Sequence, residues 1–225
     1  MRLSIVIPAL DEAGVIADTL EALAPLVARG ADIVVVDGGS RDATARIARE
    51  RGARVLDSVR GRARQMNAGA AIATGDALLF LHADTRLPPN ADRSVQAALT
   101  GHPWGRFDIR IEGPARMLVL VGALMNLRSR LTGIATGDQA MFMRREVFLA
   151  AGGFPEQPLM EDIELSRRLR RAGWPACLRE RATTSGRRWI EHGVWRTILL
   201  MWRLRLAYFL GASPERLRAR YERRA

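Results

Sequence analysis

The chain has 225 residues, long enough for one large domain with a core of its own, and 48% hydrophobic against 26% charged residues is an ordinary globular balance. Its 35 basic residues are all arginine and outnumber 24 acidic ones, for a formal charge of +11, while the lone Cys177 excludes an internal disulfide framework and a cysteine metal cluster. Met1 leads almost directly into a strand-like run, and the most apolar late stretch, 194–210, is interrupted by Arg196, Arg203 and Arg205. The expectation is therefore a cytoplasmic protein without signal peptide or transmembrane span.

Residues 3–8 (LSIVIP) read as a first strand, followed by Asp11 and Glu12. A helix with Ile16, Leu20 and Leu23 on one face then runs to Pro25. Residues 33–36 (IVVV) form a second buried strand that delivers Asp37 to its end, and Gly38-Gly39-Ser40 makes the turn. Ser40 or Asp42 caps a helix over 44–50, which Gly52 stops. A short strand over 53–56 and a helix over 61–73 follow. Residues 77–81 (ALLFL) are an unbroken apolar run, as expected of a strand buried on both faces, and Asp84 lies just past it. Alternation of strand and helix at this spacing predicts an α/β fold with a mostly parallel central sheet flanked by helices.

The second half is less regular. A helix is predicted over 90–99, a strand with one wet face over 104–112, and an apolar helix over 115–131. A strand over 139–143 precedes a helix ending at Gly152-Gly153. Glu161 and Asp162 open a helix that stops at Gly173, and 183–188 reads as a polar, basic loop. A long apolar helix dotted with arginines spans 189–210, and a short basic helix spans 214–224. No repeat or linker divides the chain, so the expected organisation is one domain over 1–188 with a helical C-terminal extension, 189–225, packed on it.

In a parallel sheet Asp11, Asp37 and Asp84 share the carboxyl edge of the strands, where ligands of open α/β sheets bind. Each alone is also a common turn or cap residue. Arg62 and Arg64 open a helix in the same half and offer an anion site at its N-terminus.

Six segments in order resemble the family 2 glycosyltransferases, whose fold is the Rossmann-like A-type glycosyltransferase fold. They are Ile5-Val6-Ile7-Pro8-Ala9-Leu10-Asp11-Glu12, Val35-Val36-Asp37-Gly38-Gly39-Ser40-Arg41-Asp42, Asn67-Ala68-Gly69, Leu79-Phe80-Leu81-His82-Ala83-Asp84, Gly152-Gly153-Phe154-Pro155-Glu156 and Glu161-Asp162-Ile163-Glu164-Leu165. The His-Ala-Asp form resembles a compact bacterial subgroup. The resemblance implies that Pro8, Leu10 and Glu12 line a nucleotide pocket and that Asp37 binds the base. It places Arg64 and Asn67 near base or diphosphate, with His82 and Ala83 beside them. Asp84 matches the last carboxylate of the metal motif, which implies Mg²⁺ or Mn²⁺, and His82 stands where the family has another Asp. Asp162 matches the catalytic base, with Asp138 and Glu161 on its side of the site. Ser185-Gly186-Arg187-Arg188-Trp189 resembles a Gln-x-x-Arg-Trp motif near acceptor and diphosphate, with Ser185 replacing the Gln.

The implied reaction is an inverting transfer of a sugar from a UDP- or GDP-linked donor to a hydroxyl of an unknown acceptor, lipid-linked or small. Cation and arginines would stabilise the leaving diphosphate, and Asp162 would take the acceptor's proton. A helix terminus favours the ionised form of Asp162 and burial disfavours it. A nucleotidyltransferase acting on sugar phosphates is the alternative enzyme, but Pro8-Ala9-Leu10-Asp11-Glu12 stands where it would carry a Gly-rich basic loop. A non-enzymatic, arginine-rich nucleic-acid binder is the other alternative; it leaves the acidic edge unexplained, so no nucleic-acid partner is expected. The sequence is silent on oligomeric state. The tail helix is expected to pack on the domain, with peripheral contact at the inner membrane surface as its other reading.

Overall fold

The structure is a computed structural model; it describes residues 1–222 and, of Arg188, the backbone alone. The predicted final helix over 214–224 and the extension to 225 thus end outside the described residues. The first half contains β1 (Leu3–Ala9), α1 (Ile16–Ala28), β2 (Asp32–Asp37), α2 (Thr44–Glu50), β3 (Arg54–Asp57), α3 (Arg62–Ile72) and β4 (Ala77–Phe80). A two-residue β5 (Thr85–Arg86), α4 (Ala91–Gly101), β6 (Trp104–Glu112) and α5 (Met117–Thr132) follow. A 3₁₀ turn (Gly137–Gln139) leads to β7 (Phe142–Arg144), α6 (Arg145–Ala150), α7 (Glu161–Leu169) and β8 (Ala176–Ser185). The tail comprises α8 (Arg187–Glu191), α9 (Val194–Phe209) and α10 (Pro214–Glu222).

Among the described residues the strands form one sheet, ordered β3-β2-β1-β4-β7-β6-β8-β5. β1, β2, β3 and β4 pair in parallel, with Ile5 opposite Ile33 on one side and Leu79 on the other. Successive side chains in these strands point to opposite faces. Ile5, Ile7, Val35 and Leu79 meet α1 and α4 through Ile16, Leu20, Leu23, Val95 and Leu99. Val6, Val34, Val36, Leu78 and Phe80 meet α3, α6 and α7 through Met66, Ala70, Phe148, Leu165 and Leu169. Both faces are covered, which is why these strands read as unbroken apolar runs. α3 lies close because Gly69 has no side chain: a Cβ there would stand 2.4 Å from Val6 Cγ1.

The second half departs from expectation in four places. β6 has no wet face over most of its length, because α5 covers it. Arg106 is fully buried and pairs with Asp108, which also takes Arg130 at 2.7 Å. The strand expected over 139–143 starts later: residues 137–139 form the 3₁₀ turn, with Thr136 and Gln139 in a reciprocal capping box, and β7 then runs antiparallel to both β4 and β6. The loop expected over 183–188 is instead the end of β8, a ten-residue strand parallel to β6 that runs to Ser185, and the start of α8 at Arg187. The single helix expected over 189–210 is broken at Gly193, whose φ of 79° suits glycine, into α8 and α9.

Candidate active site

At the parallel edge the backbone collects the first carboxylates. Asp37, buried at the end of β2, accepts N–H bonds from Gly39 and Ser40 (3.1 and 2.9 Å) and the Ser40 hydroxyl. Asp11, in a left-handed conformation that Asp tolerates, accepts the Arg41 N–H at 2.7 Å. Two loops after β1 and β2 are thereby laced together beside the half-exposed Pro8 and Leu10. Glu12 donates its backbone N–H to Thr44 at 2.8 Å, and its carboxylate faces Arg187 of α8 at 3.7 Å. Burial pushes the Glu12 carboxyl up from its usual range, the negative charge of Asp84 pushes it further, and Arg187 opposes both.

Asp84 sits in the turn between β4 and β5. Its carbonyl accepts the Ser185 N–H at 3.3 Å, and Thr85 binds Thr184, so β8 clasps this turn. Ala83 is buried, its carbonyl bonded by the Thr19 hydroxyl at 2.6 Å. His82 Nδ1 lies 3.1 Å from Asp138 in the 3₁₀ turn, while its Nε2 is buried without a partner and faces Gly137. A Cβ at Gly137 would stand 2.4 Å from that nitrogen, so only glycine fits there.

Opposite, Met160 takes φ 67°, held by burial, and opens α7 with Glu161 and Asp162 in its first turn. Asp162 accepts the Gly137 N–H at 2.9 Å and its neighbour Ile163's at 2.8 Å. Glu161 is buried and meets Arg62 at 3.4 Å. Burial and then the Glu161 charge push the Asp162 carboxyl up to about 6, against the two N–H bonds and Arg62. Of the opposing influences weighed from sequence, burial prevails. A cleft lined by Arg62, Phe80, His82, Gly137, Glu161 and Asp162 brings these groups together.

Two expected members are occupied elsewhere. Asn67 binds Phe154 through both its N–H and C=O (2.8 and 2.9 Å) and so fastens α3 to the Gly152-Gly153 turn. Arg64 pairs on the surface with Glu156 at 3.2 Å. Trp189 packs against Ile109, Ile111, Leu118 and Val121, and Arg188 lies in α8 with its side chain outside the described atoms.

Two members were missed. Gly137 acts through its backbone N–H, which leaves no side-chain signature. Arg128 on α5 is the other: its Nε and Nη2 are shut from solvent without a partner. Burial lowers its pKa, and the charges of Asp162 and Asp138 pull it back up. The signal available was a pair of arginines, Arg128 and Arg130, in a largely apolar helix that carries no acidic residue.

The sheet order, with carboxylates gathered at its parallel edge, defines an α/β class of fold that several solved structures share. A mannosyltransferase from Pyrobaculum calidifontis, in complex with GDP-Man and Mn²⁺, superposes at TM-score 0.70 with 20% identity over 95% of this chain and 66% of that one. S. aureus TarS 1-349 gives 0.66 and 19%, over 88% and 64%. Glucosyl-3-phosphoglycerate synthase from Mycobacterium tuberculosis, with Mn²⁺, UDP and phosphoglyceric acid, gives 0.60 and 22%, over 81% and 69%. The fold is the A-type glycosyltransferase fold. The chain spans 64% of the TarS fragment, just under two thirds. No curated protein sequence matches it. The family described as Glycosyl transferase family 2 matches residues 4–148, and the chain belongs to that family.

Proposed function

We propose that this glycosyltransferase binds a UDP- or GDP-linked sugar along the β1–β2–β4 edge and transfers the sugar with inversion to an acceptor hydroxyl, with Asp162 as the base. The observation that carries this reading is Asp162 itself. It lines the cleft, is oriented by Gly137 N–H at 2.9 Å, and has its carboxyl raised to about 6 by burial and Glu161. A base with a pKa near the working pH is ionised and still basic enough to take a proton. Each Asp162 oxygen accepts one backbone bond, which leaves a lone pair for the acceptor's O–H. A single displacement needs no covalent nucleophile. In this reading residues 1–188 are the catalytic unit, and Pro8, Leu10, Glu12 and Asp37 line the nucleotide side.

The residues fit a divalent cation that the donor helps to hold. Glu12 and Asp84 stand close enough for their charges to repel, an arrangement that a cation relieves. Among the described residues no group of three or more His, Cys, Asp or Glu can hold a metal alone. Mg²⁺ or Mn²⁺ with one or two carboxylates, phosphate oxygens and water suits such a site. Asp84 would hold it, and when bound it would neutralise charge on the leaving diphosphate. The Mn²⁺ of the Pyrobaculum and Mycobacterium relatives supports this. Arg128 and Arg62 supply fixed positive charge on the Asp162 side.

Calorimetry with UDP and GDP, with and without Mn²⁺, tests the reading. We expect binding of one of them that Mn²⁺ strengthens, and an Asp84→Ala variant that keeps only the metal-independent part. Equal affinity in both proteins under both conditions rejects the metal assignment, and no binding of either nucleotide rejects the donor.

A further inference from the structure

Helices α5 and α9 each present an outward apolar stripe. On α9 the exposed residues include Trp195, Leu199, Trp202, Leu206 and Phe209, with Trp202 67% and Phe209 79% exposed. A helix turns about 100° per residue, so these positions form one row. The buried Thr197 and Leu204 lie on the opposite side. Arg196 and Arg203 fall on one border of the row and Arg205 on the other. On α5, Leu120, Leu124, Leu127 and Leu131 form a second exposed row, Leu131 at 71%. The helices are neighbours: Leu118 and Val121 of α5 share an apolar cluster with Val194 and Ile198 of α9. The inner side of α9 packs through Leu204 against Met160 and Ile163, and the exposed row faces away from that contact.

We propose that this α5–α9 face docks onto the surface of an anionic phospholipid bilayer. Solvated monomers rarely expose contiguous apolar patches of this kind. Trp and Phe in a row bordered by arginines suit the headgroup boundary, where the rings enter the apolar edge and guanidinium groups meet phosphates. Neither α5 nor α9 contains a carboxylate, so nothing on these helices repels a negative surface. The same fact disfavours a second copy of the chain as the occupant. A two-fold interface sets the same patch against itself, and here it would oppose arginines without acidic partners. No described helix is long and apolar enough to cross a membrane, so the contact is with the surface. The inner side of α9 connects it to the site: Leu204 packs with Met160 and Ile163, the residues that flank the Glu161–Asp162 turn. The docked face thus backs directly onto the segment that presents Asp162, which suits an acceptor that is itself lipid-borne.

Flotation of the full chain with phosphatidylcholine vesicles, with and without phosphatidylglycerol, tests the proposal without reference to activity. We expect the chain to float with the anionic vesicles, to remain below with the neutral ones, and to lose part of its binding as salt rises. Trp202→Gln with Leu206→Gln leaves the net charge unchanged and alters only exposed side chains. It is expected to keep the wild-type melting temperature and to reduce flotation at least tenfold. A chain that stays at the bottom with anionic vesicles at low salt overturns the proposal. So does a double variant that floats like wild type, since net charge alone then holds the protein. Sedimentation as a dimer that the double variant converts to monomer, with no vesicle binding by either, assigns the face to a second copy instead.

Discussion

The two halves of the sheet treat their polar groups differently. Around β1 and β2 most carboxylates are tied to their surroundings, Glu12 beside Asp84 being the exception. Asp32 is buried, yet bonds from Thr74, Ser4 and Arg54 outweigh that burial and hold its carboxyl below its usual range. Asp37 and Asp11 are bonded to turn N–H groups. Around β6, β7 and α7 groups are left in tension. Asp162 is raised by burial and Glu161, Arg128 has two buried N–H groups without partners, and the 3₁₀ turn there faces the unmatched Nε2 of His82, which follows β4. A satisfied half gives a rigid platform, whereas an unsatisfied half stores free energy that a ligand can release. The difference predicts that substitutions around Asp162 cost activity more than stability, and that those in the packed interior behind the β1–β2–β4 edge do the reverse.

The largest effect is expected at Asp162. Asn keeps an oxygen to accept the Gly137 N–H but is a far poorer base. Asp162→Asn should retain donor binding and lose roughly 10²–10⁴-fold in turnover. Wild-type kcat/KM should rise with pH through about 6 and flatten above it, as the carboxyl loses its proton. Stability runs the other way. The folded carboxyl holds a proton that the unfolded chain releases near its ordinary value, about 3.9. Stability is therefore full below that value and falls as pH rises to about 6. Asp162→Asn does not titrate, so the fall in melting temperature between about pH 4 and 7 should be absent from it, on top of a constant offset from the one backbone N–H bond that the amide gives up. A variant that is both active and less stable breaks the comparison and moves the base to Glu161 or Asp138.

Arg128 tests the same contrast on a cationic group. Arg128→Met keeps the volume and removes the unmatched guanidinium. If the group serves an anion in the cleft, kcat/KM falls about 10–100-fold, the worth of a charged hydrogen bond. Stability should hold or rise by about 1 kcal/mol, since an apolar replacement of a buried charge is often neutral or better. Chemical denaturation and steady-state kinetics on one preparation measure both.

The contrast also explains what the sequence disclosed. β1, β2 and β4 are buried on two faces, so their apolar runs mark their bounds within a residue or two, and each delivers a carboxylate to the edge. β8 was not legible because Arg179-Glu180-Arg181 sits at its bulge and exposes charge mid-strand. Arg106 and Asp108 alternate with apolar residues and so imitate a wet face, yet they bury each other beneath α5. In the proposed site, Asp162 is assigned through its place in a motif. Its partner Gly137 is not, because a backbone N–H carries no residue-type signal. Asn67 fits the motif, and its two bonds to Phe154, which fasten α3 to the Gly152-Gly153 turn, have no residue-type signal in the sequence.

In the platform half, Gly69→Ala should behave as a packing defect. The new methyl would meet Val6 Cγ1 at 2.4 Å and Val36 Cγ2 at 2.8 Å, both rigid core groups. Overpacking costs about 1–3 kcal/mol, and the better helix propensity of Ala returns up to about 1. A net loss of about 1–2 kcal/mol, with turnover per folded molecule unchanged, is the expected result. A loss of donor affinity without loss of stability would mean that α3 shapes the nucleotide side more finely than its packing indicates.

The smallest effect is expected at Arg64. The family resemblance places it by the base or diphosphate, whereas the structure pairs it with Glu156, the two side chains 52% and 64% exposed. An exposed pair of this kind contributes about 0.2–1 kcal/mol and weakens with salt. Arg64→Ala should therefore shift the melting temperature by about a degree and leave nucleotide affinity within about twofold, which calorimetry resolves. Glu156→Ala separates the two placements. If the ion pair is all that Arg64 makes, both variants give the same small change in stability and none in binding. If Arg64 leaves Glu156 when the donor arrives, Arg64→Ala weakens binding, and Glu156→Ala strengthens it by freeing the guanidinium. That opposition would show that the platform half also holds a charge in reserve, and would narrow the contrast between the two halves to the groups around Asp162.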